Sequence, residues 1–238
     1  MKYNYTMKNN LALILAGGSG SRLDPSTPKQ FLHLRGKPLL VHTLERFQNH
    51  PKIDVIYLVT HADFVMRTKE LLKPFQLTKL EHILPGGATR QESSAIGVEA
   101  AADDFQNILI HDAARPFVTA GQIDAMLDKL AQYAAVNMTI PVTDTIARLD
   151  RNGMVVENPD RSLLRRVQTP QGFHLSIIRE AHHLAQQDND NSATDDCSLI
   201  LKYNPTPIAN VQGHPNNMKV TSPIDLIIAG QILDNQIP

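Results

Sequence analysis

Residues 11–30 read LALILAGGSGSRLDPSTPKQ, and the order of features in this stretch decides the fold. It opens on an apolar run, Leu11 to Ala16, of the length of one buried strand. Gly17-Gly18-Ser19-Gly20 follows, a turn whose glycines free the backbone to take positive φ and to approach another group closely. Successive N–H groups in such a loop form a concave anion site. Arg22 and Lys29 place two cations on the same connection. The economical reading is a loop that wraps a polyphosphate; the plain one is a glycine turn with surface cations. Two familiar phosphate loops are excluded. Walker A requires Gly-Lys-Ser/Thr, and Gly20 is followed by Ser21-Arg22; the dinucleotide fingerprint requires a glycine where Leu23 stands.

Outward from this loop the chain alternates. Lys37-Pro38 predicts the start of a helix reaching about Phe47, with Leu40, Leu44 and Phe47 on one face. Residues 53–60 and 107–111 read as buried strands, 82–84 as a short one, and 135–142 as another, ended near Pro141. Helices are expected over 62–72, 90–101, 121–134 and 175–186. Strand and helix in turn predict βαβ units and a mainly parallel sheet. Right-handed crossovers then bring the glycine loop and Asp112 to the carboxyl edge of that sheet, where such folds bind ligands. After Asp144 the pattern changes. Arg151-Asn152-Gly153 between β-prone runs signals a hairpin too small to hold its own core, so residues 144–169 read as an arm that needs a partner surface. Short strands near 208–211 and 218–220 and a helix after Pro223 close the chain, and no linker divides residues 1–238 into two domains.

Composition narrows the function classes. Lys and Arg number 23 against 24 Asp and Glu, a net charge of -1, so no overall field favours nucleic acid or an anionic membrane. The single cysteine, Cys197, excludes an internal disulfide and a cysteine-rich zinc site and reads as a small buried residue. The polar start MKYNYTMKNN and the short apolar run after it suit neither a secretory leader nor a membrane span, which gives a cytoplasmic expectation. His182-His183 read as surface residues, and no H-E-x-x-H occurs among the ten histidines.

Three further motifs carry chemistry. Gly86-Gly87-Ala88-Thr89-Arg90-Gln91-Glu92-Ser93 is a glycine turn feeding a helix, with Thr89 as its N-cap. Its backbone and the Ser93 hydroxyl suit the edge of a pyrimidine. His111-Asp112-Ala113-Ala114-Arg115 follows a buried strand, so Asp112 is held rigidly enough for a divalent metal or a ribose hydroxyl, and Arg115 can fork onto a phosphate. In Asn217-Met218-Lys219-Val220-Thr221-Ser222-Pro223, Lys219 precedes a helix cap with proline at the first helical position.

In order and together, these pieces resemble the 2-C-methyl-D-erythritol 4-phosphate cytidylyltransferases, from about Leu11 to Leu233. The resemblance implies a three-layer Rossmann-like α/β nucleotidyltransferase fold with a protruding β-arm. It implies CTP and a C5 alditol phosphate as substrates, Mg²⁺ as cofactor, and a homodimer that exchanges arms. By this likeness Arg22, Lys29, Arg161 and Lys219 are catalytic. Ala16, Gly17 and Gly18 lie around CTP; Gly87, Ala88, Arg90 and Ser93 belong to the cytosine segment. Asp112, the implied metal ligand, and Arg115 line the pocket where the substrates meet, and Thr145 and Arg161 reach it from the partner's arm. Two departures bear on the acceptor. Gly17 stands where methylerythritol enzymes commonly have alanine, as pentitol-phosphate enzymes often do, while Ala113-Ala114 keeps the methylerythritol form. Ala88 stands where an acid is frequent, so base reading would rest on the backbone and Ser93. Ribitol 5-phosphate as acceptor, or a non-catalytic nucleotide-binding module, are the alternatives.

Overall fold

The computed structural model describes residues 9–18, 28 and 31–235. Arg22 and Lys29 therefore lie outside the described residues. The chain runs β1 (Asn10–Ala16), β2 (His33–Leu34), β3 (Lys37–Pro38), α1 (Leu39–Gln48), β4 (Val55–Thr60), α2 (Val65–Leu72), β5 (Leu80–Pro85), α3 (Arg90–Glu99), β6 (Asn107–Asp112), α4 (Ala120–Leu130) and β7 (Ala135–Pro141). It continues through β8 (Arg148–Leu149), β9 (Val155–Glu157), β10 (Arg165–His174), α5 (Leu175–Gln187), α6 (Asp196–Tyr203), β11 (Ile208–Gln212) and α7 (Pro223–Asp234).

Seven strands form the central sheet in the order β11-β7-β10-β6-β1-β4-β5. All neighbours are parallel except β10, which is antiparallel to both β6 and β7. Alternation along β1 serves both faces of this α/β fold. Ala12, Ile14 and Ala16 join Leu40, Leu44, Phe47, Met126 and Leu130 on one side; Leu11, Leu13 and Leu15 join Val98, Phe173, Ile178 and Ile200 on the other. Helix α3 lies so close to β1 that a Cβ on Gly97 would stand 2.3 Å from Leu13 Cδ1. A third, smaller core of Leu34, Leu39, Phe117, Val220, Ala229 and Ile232 fixes α7 beside β2 and β3.

Several expectations need correcting. Pro38 is not inside α1 but is its N-cap residue, at φ -56° and ψ 139°, and Lys37-Pro38 pairs with β2. Residues 218–220 are not a strand; the segment is irregular and tied to the sheet through Val220 N–H, which donates to the Ala114 carbonyl at 2.8 Å. The excursion expected over 144–169 ends earlier, because β10 already pairs with β7 at Arg165. Polar Arg165-Arg166 and Gln168 hide that strand from a reading by apolar runs. His182 is buried against Asp196, with only His183 exposed. The hairpin itself is present: β8 and β9 pair, Asp150 Oδ1 accepts from the N–H groups of Asn152 and Met154 at 2.9 Å, and Gly153 takes φ +82°. It stands apart from the central sheet with Leu149, Met154, Val155 and Val156 exposed.

Candidate active site

The parallel strands end on one edge, where β1 delivers Ala16-Gly17-Gly18, β4 Thr60, β5 Pro85-Gly86-Gly87 and β6 Asp112. A cleft of about 370 Å³ opens there, lined by the two glycine turns, Leu39, His61, Thr89, Arg90, Ser93, Asp112 to Ala114 and Lys219.

Asp112 organises the polar end. Lys219 Nζ donates to its Oδ2 at 2.8 Å, Arg90 Nε approaches Oδ1 at 3.4 Å, and Arg115 Nε lies 3.6 Å from Oδ2. Burial alone would raise the Asp112 carboxyl; the charges of Arg90, Lys219 and Arg115 overcome it and hold the group well below the usual carboxylate range. Asp112 is therefore a carboxylate, and the cluster still carries excess positive charge.

Each cation is held from behind. Arg90 Nη1 donates to buried Asp196 at 2.8 Å, and Asp196 also accepts from Ser94. Burial would lower the Arg90 guanidinium, but Asp196 and Asp112 raise it above its ordinary value. Arg115 Nη1 donates to the Asn217 carbonyl at 2.9 Å, and Asn217 Nδ2 donates to the Thr169 carbonyl at 2.8 Å. These bonds carry the irregular segment that presents Lys219.

His111 locks the turn after β6. Its Nε2 lies 3.0 Å from the Arg115 carbonyl and its Nδ1 3.0 Å from Thr169 Oγ1, which accepts the Asp112 N–H at 3.0 Å. A carbonyl only accepts, so Nε2 carries the proton, Nδ1 accepts from the Thr169 hydroxyl, and the ring is neutral. Burial pushes the imidazole down to about 4. His111 is thus a strut for Asp112 and Arg115.

At the opposite end, Thr89 caps α3 in a capping box: Thr89 Oγ1 accepts from Glu92 N–H at 3.0 Å, and Glu92 Oε2 accepts from Ala88 N–H at 2.6 Å and Thr89 N–H at 3.3 Å. Ser93 Oγ donates to the Thr89 carbonyl at 2.9 Å and lies 3.2 Å from where a Cβ on Gly17 would stand. Glycine at 17 lets the two turns close around that hydroxyl.

The structure thus gathers Ala16, Gly17, Gly18, Gly87, Ala88, Arg90, Ser93, Asp112 and Lys219 at one cleft, with Arg115 directly behind Asp112. Thr145 and Arg161 do not line it. Both sit in the exposed arm, where Arg161 Nη1 donates to the Thr143 carbonyl at 2.9 Å. The sequence assigns Asp196, His111 and Glu92 no role in the site. Only Glu92 left a signal, in the T-x-x-E spacing from Thr89.

A glycine-lined cleft at the carboxyl edge of a mainly parallel sheet, with a carboxylate set among cations, is the site of a nucleotidyltransferase. The family model described as 2-C-methyl-D-erythritol 4-phosphate cytidylyltransferase (IspD) matches residues 11–235. The enzyme of that name from Thermobifida fusca is 39% identical over 229 residues, 93% of this chain and 92% of its own. A ribitol-5-phosphate cytidylyltransferase from Vibrio parahaemolyticus is 37% identical over 231 residues, 95% of this chain and 97% of its own. The crystal structure of 4-diphosphocytidyl-2C-methyl-D-erythritol synthase from Anaerococcus prevotii superposes with a TM-score of 0.83 at 26% identity, covering 95% of this chain and 99% of that one. This chain belongs to the 2-C-methyl-D-erythritol 4-phosphate cytidylyltransferase family.

Proposed function

We propose that this cytidylyltransferase joins CTP to 2-C-methyl-D-erythritol 4-phosphate, releasing pyrophosphate, and serves isoprenoid synthesis by the route that uses that intermediate. The observation that carries the reading is the cluster of Lys219, Arg90 and Arg115 around Asp112, which leaves net positive charge at the polar end of a nucleotide-sized cleft. The relatives' names support the acceptor, since most of them specify methylerythritol phosphate. Ribitol 5-phosphate is the second reading, favoured by Gly17 and by the Vibrio relative.

The physical problem is the approach of two anions. The acceptor phosphate must attack the α-phosphorus of CTP in line with departing pyrophosphate, and Coulomb repulsion opposes it. No base is required, because the nucleophile is already a phosphate oxygen. Catalysis is therefore positioning and charge neutralisation. Arg22 and Lys29 neutralise the triphosphate, and Lys219, with Arg161 from a partner's arm, steers the incoming phosphate. Arg90 Nη2 is buried without a hydrogen-bond partner among the described residues. Thr145 of the arm, like Arg161, completes the neighbouring site in the dimer.

Asp112 is the one acid among the described residues lining the cleft, and Lys219 occupies one of its oxygens. Mg²⁺ in nucleotide sites is commonly held by one or two carboxylates and by substrate phosphates, so Asp112 fits a magnesium ion that arrives on the triphosphate. Bound there, the ion supplies further neutralisation of phosphate charge. Among the described residues no helix is long and apolar enough to cross a membrane.

The test is pyrophosphate release from CTP and Mg²⁺ with methylerythritol 4-phosphate or ribitol 5-phosphate offered separately. Rapid release with the branched acceptor alone is expected. Release with ribitol phosphate alone transfers the chain to the second reading, and silence with both rejects the proposed reaction.

A further inference from the structure

Strand β10 is the antiparallel member of the sheet, so its first residues stand at the same edge as the last residues of the parallel strands. Thr169 is level with Asp112, whose N–H its hydroxyl oxygen accepts at 3.0 Å, and Arg166 pairs with Ile140 near the end of β7. Three residues of strand separate Arg166 from Thr169, which puts Arg166 about 10 Å further out on the open side of the edge. Pairing is regular from Arg165 to Gln168, so residues 166 and 168 share a face. That face lies under the segment that carries Lys219. Gln168 Nε2 donates to the His214 carbonyl at 3.0 Å, and Asn217 Nδ2 stands 3.4 Å from Gln168 Oε1. The Asn217 carbonyl in turn accepts from Arg115 Nη1 at 2.9 Å. Burial lowers the Arg115 guanidinium, Asp112 offsets part of that, and the charge of Arg166 lowers it further, so the two guanidinium groups lie within each other's field.

The cations on this side of the cleft differ in what they have left to give. Lys219 is paired with Asp112, and Arg115 is held by the Asn217 carbonyl. Arg166 is exposed and has neither a hydrogen bond nor an ion pair among the described residues. The glycine turns follow β1 and β5, on one side of β6, and β10 lies on the other. A nucleotide held by those turns leaves the ground between Asp112 and β10 to the second substrate. Resting on the cytidylyl transfer proposed above, we infer that Arg166 binds the phosphate of the acceptor, from the same chain that holds the nucleotide. A phosphomonoester carries about 1.5 to 2 negative charges at pH 7, and a guanidinium fork not spent on a carboxylate meets two of its oxygens at once. This role is distinct from that of Arg161. Strand β10 is paired into its own sheet from Arg165 onward, so Arg166 serves its own cleft whichever chain the arm reaches.

The experiment measures KM for CTP and for whichever of methylerythritol 4-phosphate and ribitol 5-phosphate the wild type accepts, in the wild type, Arg166→Ala and Arg166→Lys, with thermal melts alongside. Wild-type turnover tests the transfer reading by itself. Arg166→Ala should raise the acceptor's KM about tenfold or more, the loss of one charge-assisted contact, and leave that of CTP within about twofold. Arg166→Lys keeps the charge without the fork and should recover part of the loss. An acceptor KM unchanged in Arg166→Ala, both KM values raised alike, or a lysine variant no better than alanine overturns the inference. Phosphate affinity is also read without turnover, by titrating inorganic phosphate into the CTP-loaded protein and following its phosphorus NMR line. Binding to the wild type is expected, weakened about fivefold or more in Arg166→Ala. Equal affinities, or no binding to the wild type, overturn the inference whether or not the protein transfers a cytidylyl group.

Discussion

His111 and Asp112 are adjacent and both buried, yet one is neutral and the other charged. Asp112 is ionised because cations surround it; His111 is neutral because burial outweighs the nearby carboxylate and its two hydrogen-bond partners want one proton between them. The imidazole's folded value of about 4 lies below the ordinary 6.5, so the unfolded chain binds more protons between those values. Stability from this group is therefore complete above pH 6.5 and is lost as the pH falls toward 4. The loss amounts to at most about 3 kcal/mol. Urea unfolding at pH 7 and pH 5 should show it, and His111→Asn should flatten the dependence; an equally steep profile in that variant refutes the strut assignment. At this scale the sequence was legible wherever a residue closed a strand or followed a glycine turn, as Asp112 and Ser93 do. It was silent about Asp196, because nothing local links that acid to Arg90, 106 positions earlier.

Among the elements, the strands of the parallel half were readable because continuous apolar runs such as 55–60 have no other stable use. Strand β10 was not, since its polar residues face partners across the sheet: Gln171 Nε2 donates to Asn137 and Asp195, and its Oε1 accepts from Asp196 N–H at the start of α6. The hairpin β8–β9 was visible from Asn152-Gly153, and its exposed apolar residues are what the proposed arm exchange would cover. Leu163 is 81% exposed and Val155 63%, on an arm with no apolar surface of its own to cover them. Under the proposed arm exchange, Val155→Asp with Leu163→Asp should give a folded monomer by sedimentation, with pyrophosphate release reduced at least about 100-fold through loss of Arg161 from the neighbouring site. A fully active monomer would remove the arm from the mechanism.

Across the whole molecule, the cleft draws on β1 near the start of the chain and on Lys219 near its end. Helix α7 secures that closure. Its Ala229 and Ile232 pack with Leu34 and Leu39, and Asp234 pairs with Arg35. A chain ended after Ser222 should keep the central sheet, since α7 adds no strand to it, yet bind an apolar dye through the uncovered third core and release no pyrophosphate. Activity in that shortened chain would show that Lys219 is held without α7.

This late closure has a consequence during synthesis. A chain emerging from the ribosome can form β1, β4, β5 and β6 and their helices early, because these are neighbours in sequence. Lys219 and α7 come last, so through most of translation Asp112 is one cation short and the nucleotide cleft has an open side. Turnover should therefore not begin before α7 has been made, and under the proposed arm exchange it waits further for a second chain.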